Sequence, residues 1–144
     1  MPPKIVECIP NFSEARRPEV VDSIIAAVAS VNGVRVLDRH SDVDHNRTVL
    51  TFVGTPEAVE EAAYLGIARA AELIDLNHHQ GEHPRMGATD VVPFVPITGV
   101  TMQECVEMAR RLGKRVAETL DIPIYFYEDA AIRQDRVNLE DIRR

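Results

Sequence analysis

Arg47-Thr48-Val49-Leu50-Thr51-Phe52-Val53-Gly54-Thr55-Pro56-Glu57-Ala58-Val59 decides the fold. Its first seven residues, rich in Thr, Val and Phe, read as a β-strand. From Pro56 to Asp75 the chain reads as a helix, since Val59, Ala62, Ala63, Gly66, Ile67, Ala70, Leu73 and Ile74 form one apolar stripe. The small residues in that stripe would let the helix lie close on a sheet. A strand passing directly into a helix is the unit from which the rest of the chain is built.

Upstream, Lys4 to Ile9 reads as a strand and Pro18 to Ser30 as a helix, with Pro18 in its first turn. Val34 to His40 reads as a second strand. Downstream, Val91 to Ile97 reads as a strand, but Pro93 and Pro96 lack donors, which places it at an edge or beside a bulge. Thr101-Met102-Gln103-Glu104 matches a capping box opening a helix through Leu120. Ile122 to Tyr127 reads as a further strand, and the tail from Asp129 is polar, with a short helix at Leu139 to Arg143. The order is β-α-β-β-α, a polar loop, then β-α-β. It predicts an α+β sandwich: a mixed or antiparallel sheet with helices on one face. A doubly wound nucleotide fold is disfavoured, because no Gly-x-Gly-x-x-Gly follows the first strand and no phosphate-binding Gly-Lys-Ser/Thr loop occurs.

The 144 residues suit one domain spanning 1–144, and 45% hydrophobic with 27% charged residues excludes disordered and fibrous classes. No apolar run is long enough to span a membrane, and Met1-Pro2-Pro3-Lys4 lacks the apolar core of a secretory leader. Cys8 and Cys105 are too far apart for a metal-type pair. Together these features predict a cytoplasmic protein whose cysteines are reduced and buried. The net charge of −7 argues against nucleic acid or an anionic membrane as partner, while leaving room for a local cationic pocket.

Three polar segments exceed what packing needs. Asn11-Phe12-Ser13-Glu14 follows the first strand; taken alone it reads better as a turn than as a site. Asp38-Arg39-His40-Ser41-Asp42-Val43-Asp44-His45-Asn46-Arg47 holds two histidines and three aspartates in ten positions, more than a hairpin turn requires. One reading is a metal site, although the spacing fixes no ligand set. The other is substrate binding, with Asn46 and Arg47 presenting amide and guanidinium donors to a carboxylate. The third segment runs from Asn77-His78-His79-Gln80 into Gly81-Glu82-His83-Pro84-Arg85-Met86-Gly87. His78 and His79 suit the carbonyl end of the preceding helix. His83 sits outside any apolar pattern, and histidine is the residue type most often used for proton transfer. Glu82 would orient it, Arg85 would neutralise an anionic substrate, and Gly81 and Gly87 would let backbone approach a ligand. Arg110, Arg111, Lys114 and Arg115 read as a solvated helix face. Tyr125, Phe126 and Tyr127 read as core and interface residues.

The same segments carry a resemblance. Val6-Glu7-Cys8-Ile9-Pro10-Asn11-Phe12-Ser13-Glu14, Asp44-His45-Asn46-Arg47-Thr48-Val49 and Gly81-Glu82-His83-Pro84-Arg85-Met86-Gly87-Ala88, with Thr51-Phe52-Val53-Gly54 and Val92-Pro93-Phe94-Val95-Pro96, resemble the N-terminal subdomain of glutamate formiminotransferases over nearly the whole chain. The resemblance implies a ferredoxin-like βαββαβ sandwich, paired in that family with a similar C-terminal subdomain, folate lying between the two. It implies transfer of a formimino group from N-formimino-L-glutamate to tetrahydrofolate, a step of histidine breakdown in one-carbon metabolism. Tetrahydrofolate is then a co-substrate and no metal takes part. His83 corresponds to the family's catalytic histidine, acting as base and then acid. The expected substrate-binding residues are Asn11, Asp38, His40, Asn46, Arg47, Glu82 and Arg85. The C-terminal subdomain is expected to be absent from this chain, leaving either a truncated or a free-standing subdomain. The expected partners are the two small molecules together with a second copy (a homodimer) or a separately encoded C-terminal subdomain. Two rivals stand beside this reading. One is a non-catalytic folate-binding or interaction module. The other is a metal-dependent hydrolase built on His40, Asp42, Asp44, His45 and His83.

Overall fold

The computed structural model describes residues 3–74, 89–120, 124–127 and 131–134. Their elements are β1 (Ile5–Cys8), β2 (Asn11–Phe12), α1 (Pro18–Ala29), β3 (Val34–Asp42), β4 (Arg47–Gly54), α2 (Pro56–Leu73), β5 (Thr89–Thr98), α3 (Met102–Leu120), β6 (Ile124–Tyr127) and β7 (Ala131–Gln134). β1 and β2 are two halves of one line, interrupted at Ile9-Pro10 because Pro10 has no N–H to donate. The gap is bridged on both sides: Ile9 N donates to the Pro93 carbonyl (3.2 Å) and Leu50 N donates to the Pro10 carbonyl (3.0 Å). The line lies between β4 and β5. Beyond β4 comes β3; beyond β5 come β7 and then β6. Every pairing is antiparallel, so of the two expected kinds of sheet the antiparallel one is present. Through β5 the connectivity is the expected β-α-β-β-α-β.

The prolines of β5 do not put it at an edge. β5 lies inside the sheet, between β1/β2 and β7. Its register slips where Pro96 opposes Val6 but Thr98 opposes Ile5, leaving Ile97 as the extra residue of a bulge. The bulge therefore accommodates Pro96, while the Pro93 carbonyl still accepts a bond. β2 and β7 were not foreseen. Residues 131–134, in the tail expected to be polar, pair with both β5 and β6. The short helix expected at 139–143 lies outside the described residues.

Strand alternation divides the sheet into two faces. Val6, Cys8, Phe12, Leu50, Phe52, Val92 and Phe94 are buried in one cluster with Val20, Ile24 and Val28 of α1, Val59, Ala62 and Ile67 of α2, and Cys105, Met108, Leu112 and Val116 of α3. All three helices therefore cover one face. A Cβ on Gly66 would come within 2.9 Å of Val28 Cγ2, so the small residue serves the α1–α2 approach more than a helix–sheet one. The α3 capping box forms as expected: Glu104 N donates to Thr101 Oγ1 (3.0 Å) and Thr101 N donates to Glu104 Oε1 (2.9 Å). The face of α3 read as solvated is partly engaged. Arg111 pairs with Glu60 at 2.8 Å and Arg115 with Glu61 at 2.7 Å, while the Arg115 guanidinium lies 3.6 Å from the Tyr64 ring centre. These contacts tie α3 to α2.

Candidate functional site

On the sheet face away from the helices the Asn11 segment meets the Asp38–Arg47 segment. Asn11 opposes Val49, and Val49 opposes His40, so the three form one row across β2, β4 and β3. Two strand spacings put the Asn11 and His40 backbones about 10 Å apart. Asp38 opposes Thr51 in the next row, and Asp42 opposes Arg47 in the row beyond His40.

A bulge decides which way β3 points its polar residues. Val36 opposes Phe52 but Asp38 opposes Thr51, so Leu37 is supernumerary. Before it, Val34 and Val36 pack against the core. After it the alternation is inverted, and Asp38, His40 and Asp42 share the face of Asn11, successive ones about 7 Å apart. The intervening residues follow the helix side. Arg39 pairs with Asp22 of α1 at 2.7 Å, and Ser41 shares a 2.8 Å hydroxyl bond with buried Thr48.

The turn between β2 and α1 is tied to the β3–β4 hairpin. Asn46 holds a left-handed backbone (φ 52°), which Asn tolerates better than most residues. Its Oδ1 accepts from the amides of Ala15 (2.7 Å) and Arg16 (3.0 Å). Arg16 returns the contact, donating from Nε to the Val43 carbonyl (3.0 Å) and from Nη2 to that of Asp44 (3.1 Å). Thr48 Oγ1 donates to the Glu14 carbonyl at 2.6 Å. Glu14 itself is buried. Its carboxylate accepts from the amides of Arg16 and Arg17, both at 3.2 Å, and from the Arg17 guanidinium at 2.7 and 2.9 Å. The turn reading of this segment thus holds from Ser13 onward, where the Glu14 side chain accepts from backbone amides, while Asn11 and Phe12 form strand β2. Glu14 and Arg16 were not singled out from the sequence, and the only available signal was an acid three residues ahead of Arg17 at a helix start.

On the hairpin, Asp42 binds His45 twice: Oδ2 lies 2.7 Å from Nδ1, and Oδ1 accepts from the backbone N–H at 3.3 Å. The His45 side chain, followed by its backbone amide, holds the Asp42 carboxyl below the usual carboxylate range. The side chain of Arg47, exposed and opposite Asp42, has no hydrogen-bond or ion-pair partner among the described residues; neither have the side chains of Asp38 and His40. No group of three His, Cys, Asp or Glu side chains arranged to hold a metal occurs among the described residues, which include His40, Asp42, Asp44 and His45.

His83, Glu82 and Arg85, with His78, His79, Gly81 and Gly87, lie outside the described residues. The two ends of the chain that flank them are placed. α2 closes at Leu73, whose carbonyl accepts from Arg17 Nη2 at 3.5 Å, and β5 opens at Thr89, opposite Phe12 of β2. Both ends stand at the β2 end of the sheet, beside Asn11 and the hairpin clasp.

Residues 5–144 match the family model for the formiminotransferase domain, N-terminal subdomain. The chain belongs to this family. It is 51% identical over 98% of its length to a glutamate formimidoyltransferase of Streptococcus pyogenes serotype M1, and 52% identical over 96% to one of Thermoplasma acidophilum. It is also 53% identical over 97% of its length to a formimidoyltransferase-cyclodeaminase of Sus scrofa. It spans 47% and 46% of the two formimidoyltransferases and 26% of the bifunctional protein, so it accounts for about half, or a quarter, of these formiminotransferase relatives. The three polar segments that carried the resemblance all fall inside the matched region.

Proposed function

We propose that the chain provides one half of a glutamate formimidoyltransferase site, passing a formimino group from N-formimino-L-glutamate to tetrahydrofolate. The 51% identity along 98% of the chain to a protein of that name carries the reading. In this scheme N5 of tetrahydrofolate attacks the amidine carbon, and a new C–N bond forms. His83 takes the N5 proton and returns it to the glutamate nitrogen as the old C–N bond breaks, releasing glutamate. One imidazole closes the proton balance, and the scheme calls on no metal. Holding both reactants in place supplies much of the acceleration. Arg47, unpaired among the described residues, and Arg85 bind carboxylates, and Glu82 orients the imidazole. Asn11, Asp38 and His40 line the uncovered sheet face on which the reactants rest. The folate lies between this ferredoxin-like unit and a second subdomain, supplied by the same protein, a partner chain or a second copy. The setting is cytoplasmic histidine breakdown.

Formimino transfer by the full protein, compared with His83→Ala, tests the proposal. A fall of about 10²–10⁴-fold in turnover is expected in the variant. Equal turnover in both would overturn it. The second reading is a folate-binding or interaction module of the same fold without activity of its own. Folate binding with no turnover, whatever second subdomain is supplied, is the result that selects it.

A further inference from the structure

We propose that Asn46 is a positioning residue that acts through its side-chain oxygen, locking the Asn11 segment to the His40–Arg47 hairpin. The inference rests on the transferase reading for its kinetic consequence, but the lock itself is visible in the contacts. The polar positions of the open face come from two pieces of chain that are distant in sequence. β2 brings Asn11, while β3 and β4 bring Asp38, His40 and Arg47. In the sheet β4 pairs with β1 before the Pro10 break and with Asn11 and Phe12 after it, and Leu50 N bridges the break to the Pro10 carbonyl. β2 itself is two residues long, so the ladder ends at Phe12. Past it the turn into α1 is held by side-chain contacts, of which Thr48 Oγ1 to the Glu14 carbonyl is one.

The clasp supplies what the ladder lacks. One oxygen of Asn46 receives two consecutive amides, at 2.7 and 3.0 Å, from Ala15 and Arg16. Arg16 then reaches over the hairpin tip to the carbonyls of Val43 and Asp44. The contacts interlock: the amide of Arg16 is a donor to Asn46, and its guanidinium is a donor to the residues just before Asn46. Asn46 immediately precedes Arg47, so fixing the Asn46 side chain fixes the entry of β4 and the point from which Arg47 extends. The left-handed backbone at φ 52° aims the side chain back across the turn, a conformation that Asn, Asp and Gly adopt readily. The amide nitrogen of Asn46 is not part of the lock. An oxygen acceptor in this place is the requirement, and a direct amide donor to substrate is not.

Three variants of the full protein separate the possibilities. Asn46→Asp keeps the acceptor and the backbone conformation; Asn46→Gly keeps the conformation and loses the acceptor; Arg16→Ala removes the other half of the lock. Formimino transfer is measured well below each variant's melting temperature, and hydrogen exchange is followed at the Ala15 and Arg16 amides. The expected pattern is near wild-type kcat/KM in Asn46→Asp and a fall of about tenfold or more in Asn46→Gly with circular dichroism unchanged. Exchange at both amides should be faster in Asn46→Gly only, and Arg16→Ala should add little to Asn46→Gly in the double variant. Loss of activity in Asn46→Asp equal to that in Asn46→Gly would overturn the proposal in favour of a substrate-binding amide. Wild-type kinetics in Asn46→Gly with a lowered melting temperature would overturn it in favour of a purely structural tie. If the wild type transfers no formimino group, the transferase reading fails. The exchange data still decide the lock: unprotected Ala15 and Arg16 amides in the wild type would overturn it.

Discussion

Asp42 and Arg47 stand opposite each other across the β3–β4 hairpin, and the carboxylate bonds to His45, 2.7 Å away, instead of to the guanidinium. The imidazole thereby leaves an exposed cation on this face without a counter-ion among the described residues. His45→Ala should release Asp42 to pair with Arg47. An exposed pair is weak, so the KM for the carboxylate-bearing substrate should rise only by roughly 1.4- to 5-fold. Adding Asp42→Ala should restore it. Steady-state kinetics of the single and double variants check this, and an unchanged KM in His45→Ala removes the argument.

The same contact sets a pH dependence. The His45 side chain, then its backbone amide, keeps the folded-state carboxyl of Asp42 below its usual value. A depressed carboxyl favours the folded protein at pH above its unfolded value, and that contribution fades as pH falls through the folded one. A carbon-detected NMR titration should place Asp42 below the ordinary aspartate value. In His45→Ala it should move back up; no movement would mean that the hydrogen bond is not the cause.

Gly66→Ala tests the α1–α2 contact. A helix interior ordinarily gains from this change, by up to about 1 kcal/mol. Here the new methyl would sit 2.9 Å from Cγ2 of Val28, a fully buried and stiff side chain. Overpacking of that kind costs about 1–3 kcal/mol, so net destabilisation is expected in urea unfolding. A stabilised variant would show that the helices move apart freely.

Glu14→Ala removes four acceptor contacts from a carboxylate whose side chain is only 2% exposed. Two backbone amides and a guanidinium lose their partner. The guanidinium is 44% exposed and regains water, which moderates the effect. A loss of roughly 2–4 kcal/mol is expected from chemical denaturation.

The pattern of apolar residues announced most of this fold. The stripes of α1, α2 and α3 gave the helices, and the Thr101–Glu104 box fixed the start of α3. What escaped was set by tertiary contacts. Pro96 argued for an edge, but a bulge at Ile97 absorbs it inside the sheet. β7 exists because β5 and β6 both offer it pairing positions, which four residues inside an otherwise polar tail do not advertise. Two of the three polar segments lie among the described residues, and in them Asn11, Asp38, His40 and Arg47 share one face. The roles of Asn46 and Arg16 depend on a left-handed turn and on contacts about thirty positions apart in sequence, which no local pattern encodes.

The supernumerary Leu37 makes chain length itself a determinant of chemistry. A single residue removed at position 37 would close the bulge and leave Val36 and Asp38 opposite the partners they have now. A residue removed between Asp38 and Asp42 would instead shift the rest of the strand by one place and exchange its two faces. Lineages that keep this surface for a reaction should therefore lose position 37 far more readily than any position from 38 to 42.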